Sequence, residues 1–283
     1  MKTGVMPVGH LSTEQVRQIL VMATTPPPLR GARPWRFQCT PGAIELYADI
    51  EDGPQRREQL LSCGVALLNL RVAIKAHGSH PDVRLLPMAG RPDLLAVVCP
   101  RGHQPVSPVD RRLAEAIPVR RGNRPPFTSA AVPPEVQREL RRAAEIERSW
   151  LATVEPGQVP LLREIMDRAA PETGDRTDFD VQPDRLLVVV GSLHDTNLAL
   201  LQAGQALQRV LLTATASGLS SVLWSTVMAQ PGPRRELRQL LGGGLWPQVM
   251  LRLGHGAPVE PFTPVRLEDV VTSDEHPFSA GLR

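Results

Sequence analysis

The densest group of residues able to do chemistry is RRGNRPPF, Arg120 to Phe127. Three arginines, Arg120, Arg121 and Arg124, fall within five residues, with Gly122 among them. Guanidinium forks at that spacing can converge on a phosphate or on the anionic edge of a ring through paired hydrogen bonds. A solvated basic turn is the simpler reading of the same residues. The chain has no P-loop, no G-x-G-x-x-G, no G-x-S-x-G elbow and no H-E-x-x-H. His77 and His80 straddle Gly78 and make no metal motif. Ser192, His194 and Asp195 are too close in sequence to build a triad, and Asp195 reads as a helix cap. No residue is therefore assigned a catalytic or metal-binding role. If the chain is an enzyme, a bound cofactor supplies the hard chemistry.

Two long apolar helices must form the scaffold. Ala203 to Gly218, AGQALQRVLLTATASG, is the second half of one of them, and Arg209 is its only charge between Thr196 and Ser217. A helix apolar nearly all round is a core helix or a membrane span. Three glutamines and Arg209 interrupt it too often for a span of about 20 apolar residues, so it belongs to a core. Cys63 to Gly78, CGVALLNLRVAIKAHG, aligns with it without a gap, Gly64 on Gly204 and Gly78 on Gly218. Mid-helix glycine costs roughly 1 kcal/mol against alanine, so Gly64 and Gly204 are expected where the two helices cross. Each helix is followed by an apolar run, Leu94 to Cys99 and Val249 to Leu253. The spacing suggests two related α+β halves.

The remaining elements follow from local signals. Ser12 with Gln15 makes a capping box opening a helix to Ala23. The prolines of Thr24–Arg33 keep that stretch extended. Pro34 to Asp49 reads as a hairpin turning at Pro41-Gly42, and Asp52 is expected to open the first long helix. Helices are expected over Val109–Ala116, Pro134–Trp150, Leu161–Ala170 and Arg234–Leu241, and a strand over Leu186–Gly191. Pro100 to Pro108 is the best linker candidate, and the last 30 residues read as an extended arm.

Bulk properties narrow the function. At 283 residues the chain holds one large or two modest domains, and 42% hydrophobic content is ample for a core. Three cysteines far apart read as reduced, buried thiols. No signal peptide or membrane span is evident, so a cytoplasmic protein without a membrane partner is expected. The net charge is only +3 and the aromatic content 4%, too weak a field and too few stacking rings for nucleic acid.

RRGNRPPF resembles the RR-[ST]-x-R-x-x-F opening of the flavin-dependent nitroreductase family. Pro34–Phe37, PWRF, resembles the end of that family's P-S-x-x-N-x-Q-P-W-R-F motif. The long helix followed by GLSSV resembles its central helix, and LRLGHG with TPVR its last strand and C-terminal arm. The closest likeness is to the fused Acg-like branch, in which two halves share one chain. It covers Leu11 to Val271. The resemblance implies a nitroreductase-like α+β fold whose halves, residues 1–118 and 119–283, pack as a pseudo-dimer through the long helices. It also implies one FMN site per chain, NAD(P)H as reductant, and a small nitro, quinone or related acceptor. With both halves of the site on one chain, a monomer or weak homodimer is expected.

Carried over residue by residue, the second half brings Arg120, Arg121, Gly122, Arg124, Ser225, Thr226 and Arg266, and the first half the stretch with Pro28, Leu29, Gly31 and Arg33. Arg120 and Arg266 would grip the phosphate. Arg124 would face the ring edge where reduced flavin is anionic. The chain departs from the family where Pro28 replaces Ser, Gly31 replaces Asn and Arg33 replaces Gln, the groups that hydrogen-bond the flavin ring. Gly122 also replaces the Ser/Thr of the arginine motif. Two other readings stay open: a flavin-binding protein without turnover, and a cofactor-free interaction protein on the same fold.

Overall fold

The computed structural model describes residues 4–25, 33–48, 50, 53, 55–120, 127–173, 186–224, 226–256 and 267–272. Its elements are helix α1 (Thr13–Ala23), strands β1 (Trp35–Cys39) and β2 (Ile44–Ala48), helix α2 (Arg56–Ala76), strands β3 (His80–Leu85) and β4 (Leu94–Arg101), and helices α3 (Pro108–Val119) and α4 (Pro134–Ile146). They continue with β5 (Trp150–Thr153), α5 (Val159–Thr173), β6 (Leu186–Ser192), α6 (Asn197–Ala216), β7 (Ser220–Trp224), α7 (Pro231–Leu240), β8 (Trp246–Gly254) and β9 (Val271–Thr272).

The fold is α+β, and the same sequence of elements occurs twice. Helix α1 precedes β1-β2-α2-β3-β4, whose strands lie in the order β3-β4-β2-β1. Helix α4 precedes β5-β6-α6-β7-β8, and those strands lie in the matching order β7-β8-β6-β5. All these neighbours are antiparallel. The second copy is enlarged by α5 and α7, which pack with Trp224 and Met250 into an apolar cluster of their own. Strand β9 joins the first sheet instead of the second, running parallel to β1 with Phe37 opposite Val271.

The centre is the contact of α2 with α6. A Cβ built on Gly64 would lie 2.3 Å from the Leu201 carbonyl oxygen, and one on Gly204 2.2 Å from that of Leu61. Each would also lie 2.9 Å from the other glycine's Cα. The reciprocity is what a two-fold relation between like helices produces. Beyond the crossing, the buried Gln208 donates to the Asn69 side-chain oxygen at 2.8 Å, and Asn69 donates to the Met22 carbonyl. Helix α2 alone is long and apolar enough to cross a membrane among the described residues, and it is buried inside the fold. Cys39, Cys63 and Cys99 are buried and form no disulfide, and burial pushes the Cys63 thiol far up.

Local signals account for most boundaries. Ser12 and Gln15 close the capping box on α1 in both directions. Gly78 and Gly218 follow the ends of α2 and α6 with φ +75° and +73°, a region that favours glycine. The hairpin turns at Pro41-Gly42 as its sequence predicts. Three expectations need correction. Thr196, not Asp195, caps α6, its hydroxyl accepting from the Ala199 amide at 3.2 Å. Helix α2 starts at Arg56 with no side-chain cap, and Asp52 lies outside the described residues. The Pro100–Pro108 stretch is no boundary between separate bodies: β4 runs to Arg101, and α3 packs on Leu68 and Val72 of α2 and Leu212 of α6.

Asp195 serves a larger purpose than a cap. Its carboxylate accepts two hydrogen bonds from Arg234 at 2.7 Å each and one from Arg57 of α2 at 2.7 Å. Gln248 ties the group to Ser192, whose hydroxyl donates to the His194 carbonyl. Burial alone would raise the Asp195 carboxyl. The hydrogen bonds and charges of Arg234 and Arg57 outweigh it and hold the group well below the usual carboxylate range. A depressed acid stabilises the fold above its unfolded value of about 3.9, and that contribution fades as pH falls through the folded value. Asp195 is partly exposed and solvent screens its pairs, so Asp195→Asn is expected to cost only about 1 kcal/mol near pH 7. In urea titrations the gap from wild type should hold down to about pH 5 and narrow below about pH 4. A gap independent of pH would contradict the ion-pair account.

Candidate functional site

Of the residues singled out for a site, Arg33, Arg120 and Thr226 are described. Pro28, Leu29, Gly31, Arg121, Gly122, Arg124, Ser225 and Arg266 lie outside the described residues. Arg33 is exposed and leads into β1. Thr226 opens the single turn Thr226–Ala229 that follows β7.

Arg120 is the most informative of the three. It closes α3, its amide donating to the Ala116 carbonyl at 2.7 Å. A chain of apolar residues, Leu113, Ala116 and Ile117, seats α3 in the groove between α2 and α6 and carries Arg120 inward. The residue is only 6% exposed. Its Nε and Nη1 atoms are buried and have no hydrogen-bond partner among the described residues, and no carboxylate there pairs with it. Burial pulls its guanidinium down to about 10, so it remains a cation at neutral pH. A buried charge without a partner costs several kcal/mol, which an anion delivered to the same place would offset.

One described residue near another candidate segment packs on the apolar cluster that seats α3. Met22, near the end of α1, packs on the same cluster as Ile117 of α3. Met22 and Ile117, each three residues before Thr25 and Arg120 respectively, thus share one apolar patch. The parallel pairing of β1 with β9 sets the chain after Arg33 beside the chain after Arg266. Phe127, the last residue of the arginine motif, bridges to Gly256, and Thr128 donates to the His255 carbonyl at 2.7 Å. A Cβ on Gly254 would stand 3.2 Å from the Phe127 ring, so the glycine of LRLG leaves room for that ring.

Sequence reasoning missed Arg252. It is 1% exposed in β8, with its guanidinium carbon 4.8 Å from the Phe127 ring centre, a cation–π contact. The only hint in sequence was an arginine inside an otherwise apolar strand, VMLRLG. A second buried charge cluster is structural. Glu147 accepts from Arg71 of α2 and from Arg209 of α6, the latter at 2.7 and 2.8 Å. Burial would raise the Glu147 carboxyl, but the two arginines override it and keep it low.

Comparison with known proteins follows the same lines. No family model matches the chain. It is 27% identical over 295 residues to the Mycobacterium tuberculosis protein named "Putative NAD(P)H nitroreductase Rv3131", covering 85% of each chain. It is 25% identical over 322 residues to that organism's "Putative NAD(P)H nitroreductase acg", covering 94% of this chain and 97% of the other. Nitroreductase A from Vibrio parahaemolyticus superposes with a TM-score of 0.46 at 17% identity, over 58% of this chain and 76% of that one. The likeness that the arginine motif, the tryptophan motif and the paired long helices carry is thus a likeness to the nitroreductase family, with the acg protein among the relatives matched over nearly the whole chain.

Proposed function

We propose that the chain is an FMN-binding, NAD(P)H-dependent oxidoreductase of nitroreductase type. Its two halves, residues 1–118 and 119–283, would build one cofactor site per chain. The observation that carries this reading is Arg120, a buried guanidinium with two nitrogens that lack a partner among the described residues. A phosphate monoester supplies the charge and the acceptors that such a group needs. The names of the two mycobacterial relatives, each a "Putative NAD(P)H nitroreductase", support the activity.

The residues present fit the cofactor's phosphate end. Arg120 would hold the phosphate together with Arg266, and the segments bearing Pro28, Leu29, Gly31 and Arg33 and bearing Arg121, Gly122 and Arg124 would flank the ring, with Ser225 and Thr226 beyond it. Bound FMN would supply hydride acceptance from a nicotinamide and electron delivery to a nitro, quinone or related acceptor. The protein would contribute position and a fixed positive field, set before any charge develops and so free of reorganisation cost. Arg124 would give that field at the ring edge, while Arg120, already desolvated, would hold the phosphate in a low dielectric where its charge is felt most.

The test is direct. Protein loaded with FMN should retain a yellow colour through gel filtration at about one flavin per chain, and NADH or NADPH should bleach it without oxygen. Retained flavin that neither nicotinamide bleaches would favour the reading of a binder without turnover, which the replacements at Pro28, Gly31 and Arg33 also suggest. Failure to retain flavin would contradict both.

A further inference from the structure

We infer that the cleft bounded by α3, α4 and α6 is a second ligand site, one that takes a small amphipathic carboxylate. The cleft has a volume of about 400 Å3, within the range of roughly 300–1,000 Å3 typical of small-molecule pockets. Leu113, Ala143 and Ala216 give it an apolar floor. Val109 and Ile146 stand at its mouth 61% and 56% exposed, two of the most exposed large apolar side chains among the described residues. Water around them is released when an apolar body enters.

The polar groups decide the charge of the ligand. Arg112, Arg142 and Arg209 all line the cleft, against the single carboxylate of Glu139. Arg209 is held in place from behind by Glu147, which it shares with Arg71, so that network keeps a net positive charge. Arg112 and Arg142 are exposed and form no ion pair among the described residues. The side-chain hydroxyl of Thr213 adds a donor to the wall. An apolar floor under a rim of arginines matches an aromatic or short aliphatic body ending in a carboxylate. The site is separate from Arg120, which does not line it, so it stands whether or not the chain binds flavin.

Calorimetric titration of the full chain with 2-naphthoate, 2-naphthol and inorganic sulfate tests this. The carboxylate should saturate one site, and the naphthol and the sulfate should each bind at least about tenfold more weakly, because each lacks half of the recognition. The double variant Arg112→Gln, Arg142→Gln changes two exposed side chains and should melt like wild type while losing at least about tenfold in naphthoate affinity. Arg120→Met should bind naphthoate as wild type does. No saturable naphthoate binding, equal binding of the naphthol, an unaffected double variant, or loss of binding in Arg120→Met would each overturn the assignment.

Discussion

Gly204→Leu is expected to destabilise the protein by more than about 3 kcal/mol, and Gly204→Ala by about 1–3 kcal/mol. Helix propensity points the other way, since alanine is worth roughly 1 kcal/mol over glycine inside a helix. Packing decides the sign. A Cβ at Gly204 would meet the Leu61 carbonyl oxygen at 2.2 Å and the Gly64 Cα at 2.9 Å. Those are backbone atoms, so no rotamer change relieves the clash and the helices must move apart. The separation would loosen the Asn69–Gln208 hydrogen bond and the bridge of Glu147 to Arg71 and Arg209, which span the same interface. Urea unfolding of both variants measures the effect, and Gly64→Ala should behave alike because its contacts mirror those of Gly204. A stability equal to or above wild type in the alanine variants would refute the close crossing.

Arg120→Met is expected to act in opposite directions on stability and on ligand affinity. Replacing a buried cation that has no partner among the described residues with an apolar side chain of similar length is often stabilising, by about 1–4 kcal/mol, so the ligand-free variant should melt above wild type. A charged hydrogen bond is worth roughly 1.5–3 kcal/mol. The same change should therefore weaken FMN at least about tenfold, while riboflavin, which has no phosphate, should bind the two proteins alike. A merely structural arginine would lower the melting temperature and leave the difference between the flavins intact.

The duplicated architecture was legible because its signal is local and repeated. Glycines at equal spacing in two alanine- and leucine-rich helices announce a close crossing, and the structure has it at Gly64 and Gly204. Strands β3, β5 and β7 were not legible. His80–Leu85 has a mixed burial pattern at a sheet edge, and Trp150–Thr153 is four residues long, so neither carries an alternating apolar signature. Asp195 was misread because cap and ion-pair hub look identical in sequence. The partners that decide between them, Arg57 and Arg234, lie 138 and 39 residues away. For the site, the types and spacing of the arginines were visible, but the burial of Arg120 was not. An arginine closing an amphipathic helix reads as solvated, and only the seating of α3 between α2 and α6 takes it out of water.

We propose that Arg120, buried at the end of α3, holds the phosphate of a flavin mononucleotide with Arg266 as its companion. Fluorescence titration of the wild-type chain with FMN and with riboflavin tests it most directly, because the two ligands share the ring and differ in the phosphate. A phosphate held by both Arg120 and Arg266 would give two charge-assisted contacts that riboflavin cannot make, and at least about a hundredfold weaker binding of riboflavin is then expected. Equal affinity for the two flavins would contradict the clamp.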